Sequence, residues 1–201
     1  MKITPLDRIL LLLVSLLSAW QVAVGINDAD MVPMIAYTVG FGTLVVAGLL
    51  LIILGWEGLE SPYVIIIASL IPASLSLGLA WEFLPTIRTF YLGFVLAGFL
   101  AILITRLSGT AGRSAVFTLI LFHGVQGLMI FLLPIIMVIS DMAAGNFWLV
   151  GIGGALSGLS GLLLTLMRSN NPILDKPQIL RILPGLMLAS TAALVVGFSS
   201  I

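Results

Sequence analysis

The chain has 201 residues, of which 61% are hydrophobic and 8% are charged. Soluble domains carry about 25% charged residues, so this composition excludes a soluble globular protein and indicates one that lies in lipid. The formal net charge is zero, which gives no reason to expect a nucleic-acid partner. The chain has no cysteine, which excludes disulfides, iron–sulfur clusters and thiolate metal sites.

Seven apolar segments approach the length of about 20 residues that crosses a bilayer. They predict an all-α integral membrane protein, a seven-transmembrane-helix bundle forming one domain over residues 1–201. The predicted spans are 9–25, 31–54, 62–84, 89–105, 115–140, 147–167 and 179–198. The first segment also has features of a signal peptide, because a basic start precedes a leucine-rich stretch. We expect it to be retained as a span.

The basic residues predict the orientation. With the N-terminus in the cytoplasm, seven spans leave only Arg88 outside. The cytoplasmic set is Lys2, Arg8, Arg106, Arg113, Arg168, Lys176 and Arg181. Short loops with this bias follow the positive-inside rule. The prediction is a multi-pass protein of the plasma (inner) membrane, with the N-terminus cytoplasmic, the C-terminus outside and the lipid bilayer as partner.

A weak internal repeat follows the first span. Spans two, four and six begin with glycine-containing signatures at 39–42, 92–95 and 150–153. Spans three, five and seven carry Pro72, His123 and Pro184, which lie 32, 30 and 33 residues after Gly40, Gly93 and Gly151. The pattern predicts one lead helix plus three two-helix hairpin repeats. The alternative is that proline and glycine are simply frequent in transmembrane helices.

The fifth span carries the only histidine, His123, and Gln126 one helical turn later. Residues at i and i+3 share a helix face. Both should lie roughly 12–18 Å inside the hydrocarbon at about 1.5 Å per residue. An ionisable residue at that depth is a functional hypothesis by default. The alternative is a packed imidazole bonded to Gln126 or to a carbonyl freed by Pro72 or Pro184.

The first functional hypothesis is a small passive or weakly coupled transporter or channel-like bundle. Its path would pass His123, Gln126, Ser74 and Ser76, with helix kinks at Pro72 and Pro184 allowing motion. No carboxylate is expected at mid-depth in any span, which argues against strong proton or sodium coupling.

The second hypothesis is a membrane-embedded accessory or scaffold subunit of a larger complex. The sixth span contains Gly154, Gly158 and Gly161, whose spacing allows close helix packing. This span is therefore predicted to pack inside the bundle, or against a second copy of the chain or another membrane subunit.

The third hypothesis, an intramembrane hydrolase, ranks last. Residues 158–161 match the G-x-S-G pattern that surrounds the serine of rhomboid proteases, and Ser160 could pair with His123. The rhomboid order places histidine after serine, whereas here it comes before. One histidine without cysteine or a mid-membrane carboxylate cannot build a zinc site, so no metal and no cofactor are expected. A single axial ligand to a haem stays open.

Aromatic and charged residues near the span ends have a simpler interpretation. Trp56 and Tyr91 are expected at the lipid–water boundary. Glu82 and Arg88, on either side of an outer turn, are expected to form a solvated surface pair.

Overall fold

The computed structural model describes residues 2–26, 29–108, 113–166 and 174–200. Within these ranges there are seven long helices and no strand, and all seven helices are long and apolar enough to cross a membrane. The helices are α1 Pro5–Val24, α2 Met31–Leu54, α3 Pro62–Phe83, α4 Arg88–Leu107, α5 Arg113–Ile139, α6 Trp148–Leu166 and α7 Lys176–Phe198. The all-α, seven-span architecture is thereby confirmed.

Helices α1 and α7 begin four and three residues earlier than the apolar pattern predicts. At the start of α1, Thr4 Oγ1 accepts from the Asp7 N–H, and the Asp7 carboxylate accepts from the Thr4 N–H. Asp175 and Gln178 form the same reciprocal capping box at the start of α7. Such a box satisfies amide groups that the first turn leaves free, so polar residues extend both helices. The predicted end of the sixth span at residue 167 lies outside the described residues.

Six helices form a closed cycle of contacts. Each of α1, α2, α3, α5, α6 and α7 packs against the next in that order, and α7 returns to α1. Helix α4 lies outside the cycle, in the angle between α3 and α5. We call the side where α1, α3, α5 and α7 begin the basic end, and the opposite side the far end.

The interior near the far end is filled by large side chains. Tyr37, Phe41, Phe147 and Phe198 are each at most 2% exposed, and Phe198 contacts the other three rings. We call these four residues the aromatic plug. Buried leucine, isoleucine and methionine side chains from α2, α3, α5 and α7 surround it. The plug therefore closes the far half of the bundle.

The expectation for Trp56 and Tyr91 is wrong. After α2, a 3-10 turn over Gly55–Glu60 carries Trp56 back to the bundle, where it is 6% exposed and packs against Leu180 and Leu183. Tyr91 is 5% exposed because α4 turns it toward α3. Packing against neighbouring helices competes with the interface for an aromatic ring, and here it wins.

The three hairpins pack differently. In the α2–α3 hairpin the Leu75 side chain packs against Gly40, where a Cβ atom would collide with it. In the α6–α7 hairpin the Leu194 side chain packs against Gly153 in the same way. In α4–α5 the close approach is Gly98 to Phe122, whereas the signature residue Gly93 has no described atom within 4 Å of its Cβ position. The internal repeat stays a prediction.

Candidate functional site

The centre of the site is the inward side of α5. Gln126 is 1% exposed and begins a buried stripe that continues through Ile130, Leu133 and Met137. His123 precedes Gln126 by three residues and is partly buried. The stripe at spacings of three and four residues faces the bundle interior. Both predicted polar residues therefore lie on the protein-facing side of the helix.

Two polar atoms of this pair have no hydrogen-bond partner among the described residues. They are Gln126 Oε1 and His123 Nδ1, both buried. The two side chains do not bond each other, and neither of these atoms bonds a carbonyl near Pro72 or Pro184. A buried acceptor without a donor costs about 1–3 kcal/mol, so this arrangement is unfavourable for packing alone.

The described glycine contacts between α5 and α6 lie toward the far end. Gly154 lies under Ile130, and Gly151 lies under Ile135 and the Phe131 carbonyl. One and two turns further along α6, Gly158 and Gly161 are exposed, and no atom of another described residue lies within 4 Å of their Cβ positions.

On α5, Gly124 is exposed and Gly127 is partly buried. Gly124 and Gly127 have no described atom within 4 Å of their Cβ positions. We call the space bounded by these two residues and by Gly158 and Gly161 the α5–α6 cleft. Gln126 lies one turn from Ile130 on the same face of α5, because residues at i and i+4 share a face. Its carboxamide therefore lies on the inward face of α5, where the residue is 1% exposed.

A polar contact holds α6 to α7 beside this cleft. Ser190 Oγ donates to the Gly153 carbonyl at 2.8 Å, and Ser157 Oγ lies 2.6 Å from Ser190 Oγ. Because the single Ser190 hydroxyl proton is used on Gly153, Ser157 is the donor of the second bond. Ser157 itself is exposed, so its hydroxyl borders the open side of α6.

Sequence reasoning missed the polar contact that accompanies the aromatic plug. Tyr37 Oη donates to Glu82 Oε2 at 2.8 Å, which links α2 to α3. The Tyr37 ring lies against Phe198 with centroids 4.6 Å apart and directly over Gly78. A tyrosine and a glycine separated by 41 residues give no local sequence signal for this contact.

The expected pairing of Glu82 with Arg88 is wrong. Glu82 bonds Tyr37, and the Arg88 guanidinium lies over the Trp81 ring, 5.1 Å from its centroid. The ion pair that the described residues do form joins Lys176 to Glu60 at the basic end, at 3.1 Å. It is exposed and contributes little stability.

The predicted path residues do not gather in one place. Ser74 Oγ donates to the Leu70 carbonyl at 2.5 Å and faces Gly40 of α2. Ser76 Oγ donates to the Ala73 carbonyl, and its side chain lies by the Tyr91 hydroxyl of α4. Hydroxyls bonded to their own helix are satisfied already. Of the four predicted path residues, only His123 and Gln126 have a buried polar atom without a partner among the described residues.

Pro72 and Pro184 lie inside continuous helices. Helix α3 stays α-helical through Pro72, and α7 does so through Pro184, which is buried. The predicted kinks at these positions stay a prediction.

The suggested serine–histidine pair is not formed. Ser160 Oγ donates to the Leu156 carbonyl at 2.9 Å, and no hydrogen bond among the described residues joins it to His123. On α6, Ser160 lies well away from the face that carries Gly158 and Gly161. The geometry gives no support to nucleophilic catalysis at this serine.

Comparison with protein-family models, curated proteins and solved structures finds no match for this chain. Within the described ranges, no three histidine, aspartate or glutamate side chains form a cluster able to hold a metal ion. The functional argument therefore depends on the local chemistry of α5 and α6.

Proposed function

We propose that the protein is a passive transport protein for an uncharged, hydrogen-bonding substrate. The observation that carries this proposal is the Gln126 carboxamide, which is 1% exposed and has an oxygen without a hydrogen-bond donor. A transport site binds its substrate only transiently, so such an acceptor has no hydrogen-bond partner while no substrate is bound. Packing would instead favour a leucine at this position.

The distribution of charge supports an uncharged substrate. Between Ser114 and Ser140, and again between Phe147 and Met167, the sequence contains no lysine, arginine, aspartate or glutamate. Carriers driven by protons or sodium use mid-membrane carboxylates for coupling. Movement down a gradient is therefore the mode that these helices support.

The orientation belongs to the same proposal. Helix ends place Lys2, Arg8, Arg106 and Lys176 at the basic end, and Arg88 at the far end. We assign the basic end to the cytoplasm and the protein to the plasma membrane. The aromatic plug then closes the external half, and the α5–α6 cleft opens in the cytoplasmic half.

The test is flux in vesicles of phosphatidylcholine that contain the purified protein. Stopped-flow light scattering would report entry of glycerol and urea, and dithionite quenching would report exchange of a fluorescent neutral lipid between leaflets. We expect protein-dependent movement in one assay and its loss in Gln126→Leu. Equal movement in both proteins and in empty vesicles would overturn the proposal.

A second candidate is a subunit of a membrane complex. The open faces of Gly158 and Gly161 favour it, because a partner helix could approach them closely. The cysteine-free chain allows a direct test with Gly158→Cys. A disulfide dimer, or a crosslink to another membrane protein, would favour this candidate, whereas monomer alone would remove its support.

A further inference from the structure

A cavity of about 330 Å³ opens between the last turns of α1 and α7 at the far end. Its lining includes two buried side chains, Gln21 and Phe198, which are 3% and 0% exposed. It also includes three exposed ones, Trp20, Val24 and Val196. Pockets of this volume, with a mostly apolar lining and a few polar groups, are typical of small-ligand sites. The cavity is therefore a candidate binding site separate from α5 and α6.

Two parallel helix ends meet at this cavity. Helices α1 and α7 both begin at the basic end, and their C-cap residues, Gly25 and Ser199, line the cavity. The C-terminus of a helix carries a partial negative charge of about half an electron. Neither helix has a basic residue in its last turn that would offset this charge. The backbone therefore gives the cavity a negative potential, which favours a cation.

The polar side chains of the lining offer acceptors to a ligand. Gln21 Nε2 donates to the Gly25 carbonyl at 2.8 Å, which leaves the carboxamide oxygen as the acceptor for a ligand. Ser199 Oγ donates to the Val196 carbonyl at 2.8 Å, and this bond uses the single hydroxyl proton. A polar ligand group in the cavity must therefore bring donors of its own. An ammonium group has donors only.

Trp20 adds a second attraction for a cation. Its side chain lines the cavity and is 61% exposed, so its ring is accessible to a ligand. Among aromatic side chains, the face of an indole ring attracts a cation most strongly. The far end already contains one such contact, because the Arg88 guanidinium lies 5.1 Å from the centroid of the Trp81 ring.

The side-chain charges at the far end favour a cation as well. Among the described residues at this end, Asp30, Glu82 and Asp141 are acidic and Arg88 is the only base. An excess of one charge raises the local concentration of ions of the opposite sign. Cations are therefore attracted to this end of the bundle, and anions are repelled from it.

We propose that the cavity between α1 and α7 binds the ammonium group of an amphiphile. The ammonium donates to the Gln21 oxygen and lies against the Trp20 ring, while the apolar part of the ligand extends past Val24 and Val196 toward the acyl chains. The ammonium belongs either to a free alkyl amine or to the head group of an amine-bearing lipid. This site goes beyond the transport function, because none of its residues lies on α5 or α6.

The experiment is cysteine protection in the full chain, purified in a neutral maltoside detergent. Because the natural chain has no cysteine, Val24→Cys places a single thiol in the lining of the cavity. The rate of its reaction with a maleimide is measured against the concentration of octylammonium, octanol or octanesulfonate, which share one chain and differ in the head group. Thr86→Cys, in a far-end turn that does not line the cavity, controls for partition into the micelle.

We expect octylammonium to slow the reaction of Val24→Cys and to leave Thr86→Cys unchanged. Octanol should require about a tenfold higher concentration for the same protection, because it lacks the charge-assisted hydrogen bond and the attraction to the ring. Octanesulfonate should not protect, because the helix ends and the far-end carboxylates repel an anion.

Three variants test the contacts, and circular dichroism shows that each is folded. Ser199→Lys should abolish protection by octylammonium, and a cation at the end of α7 is favourable for the helix itself. Trp20→Leu and Gln21→Leu should each raise the half-protecting concentration about threefold. Trp148→Leu is the matched control, since Trp148 is 44% exposed and does not line the cavity. Its half-protecting concentration should equal that of the natural lining.

Equal protection by octanol and octylammonium would overturn the inference, as would protection that is unchanged in Ser199→Lys or equally strong at Thr86→Cys. The two sources of the ammonium are separated by adding phosphatidylethanolamine to the micelles. Protection of Val24→Cys by this lipid assigns the site to a lipid head group, whereas protection by octylammonium alone assigns it to a free amine.

Discussion

The protein contains two buried glutamines whose carboxamides differ in one respect. Gln126 has an oxygen without a donor, whereas Gln21, at 3% exposed, donates from Nε2 to the Gly25 carbonyl at 2.8 Å. Gln126→Leu removes an unsatisfied acceptor and should raise the free energy of unfolding by about 1 kcal/mol. Gln21→Leu removes a hydrogen bond that the protein forms and should lower the free energy of unfolding by a similar amount. Unfolding in detergent, followed by circular dichroism, measures both; a loss of stability in Gln126→Leu would mean that the side chain is satisfied.

A second prediction at this scale concerns the hydroxyl of Tyr37. Tyr37→Phe keeps the ring in the aromatic plug but removes the donor to Glu82. We expect a loss of about 1 kcal/mol, because hydrogen bonds to carboxylates are worth more than neutral ones but Glu82 is exposed. Tyr63→Phe is the control, since Tyr63 is 67% exposed and should change stability little. Equal values in the two variants would mean that the bond contributes nothing.

At the scale of helices, α6 and α7 are held together by glycine contacts and by the Ser157–Ser190–Gly153 bonds. Side-chain bonds between membrane helices average about 0.6 kcal/mol in double-mutant cycles, with a maximum of about 1.7. Ser190→Ala should therefore cost more than Ser157→Ala, because it removes both bonds. The double variant should therefore lose less stability than the sum of the two single losses. Strictly additive losses would contradict the shared hydroxyl network.

The same helix shows what the sequence could and could not predict. Apolar length predicted α6 as a span, and the spacing of its glycines predicted close packing at Gly154, Gly158 and Gly161. The actual close approaches are Gly151, Gly153 and Gly154, while Gly158 and Gly161 face open space. A glycine pattern shows that a backbone could be approached, but the approach itself depends on the path of α5. The path of α5 depends on its contacts with α3 and α4, and both of these helices are far from α6 in the sequence.

For the whole molecule, apolar length and the basic residues predicted seven helices, because each span satisfies its own backbone hydrogen bonds. The pair His123 and Gln126 could be singled out from the sequence because polar residues are rare within apolar spans. The aromatic plug, the Tyr37–Glu82 bond and the exclusion of α4 from the cycle were not predictable. They depend on which helices become neighbours, and uniform apolar faces carry little information about that choice.

The last prediction concerns the topology of the entire chain. Because the natural protein has no cysteine, single cysteines report their side of the membrane without background. Glu57→Cys lies at the basic end, whereas Thr86→Cys and Ser200→Cys lie at the far end, and all three sites are in turns or at the terminus. A membrane-impermeant maleimide should label Thr86→Cys and Ser200→Cys on intact cells, and Glu57→Cys only after permeabilisation, because basic loops stay in the cytoplasm. The reverse pattern would invert the orientation and place the α5–α6 cleft in the external half. Labelling of Thr86→Cys and Ser200→Cys from different sides would contradict a chain that crosses the membrane four times between these two residues.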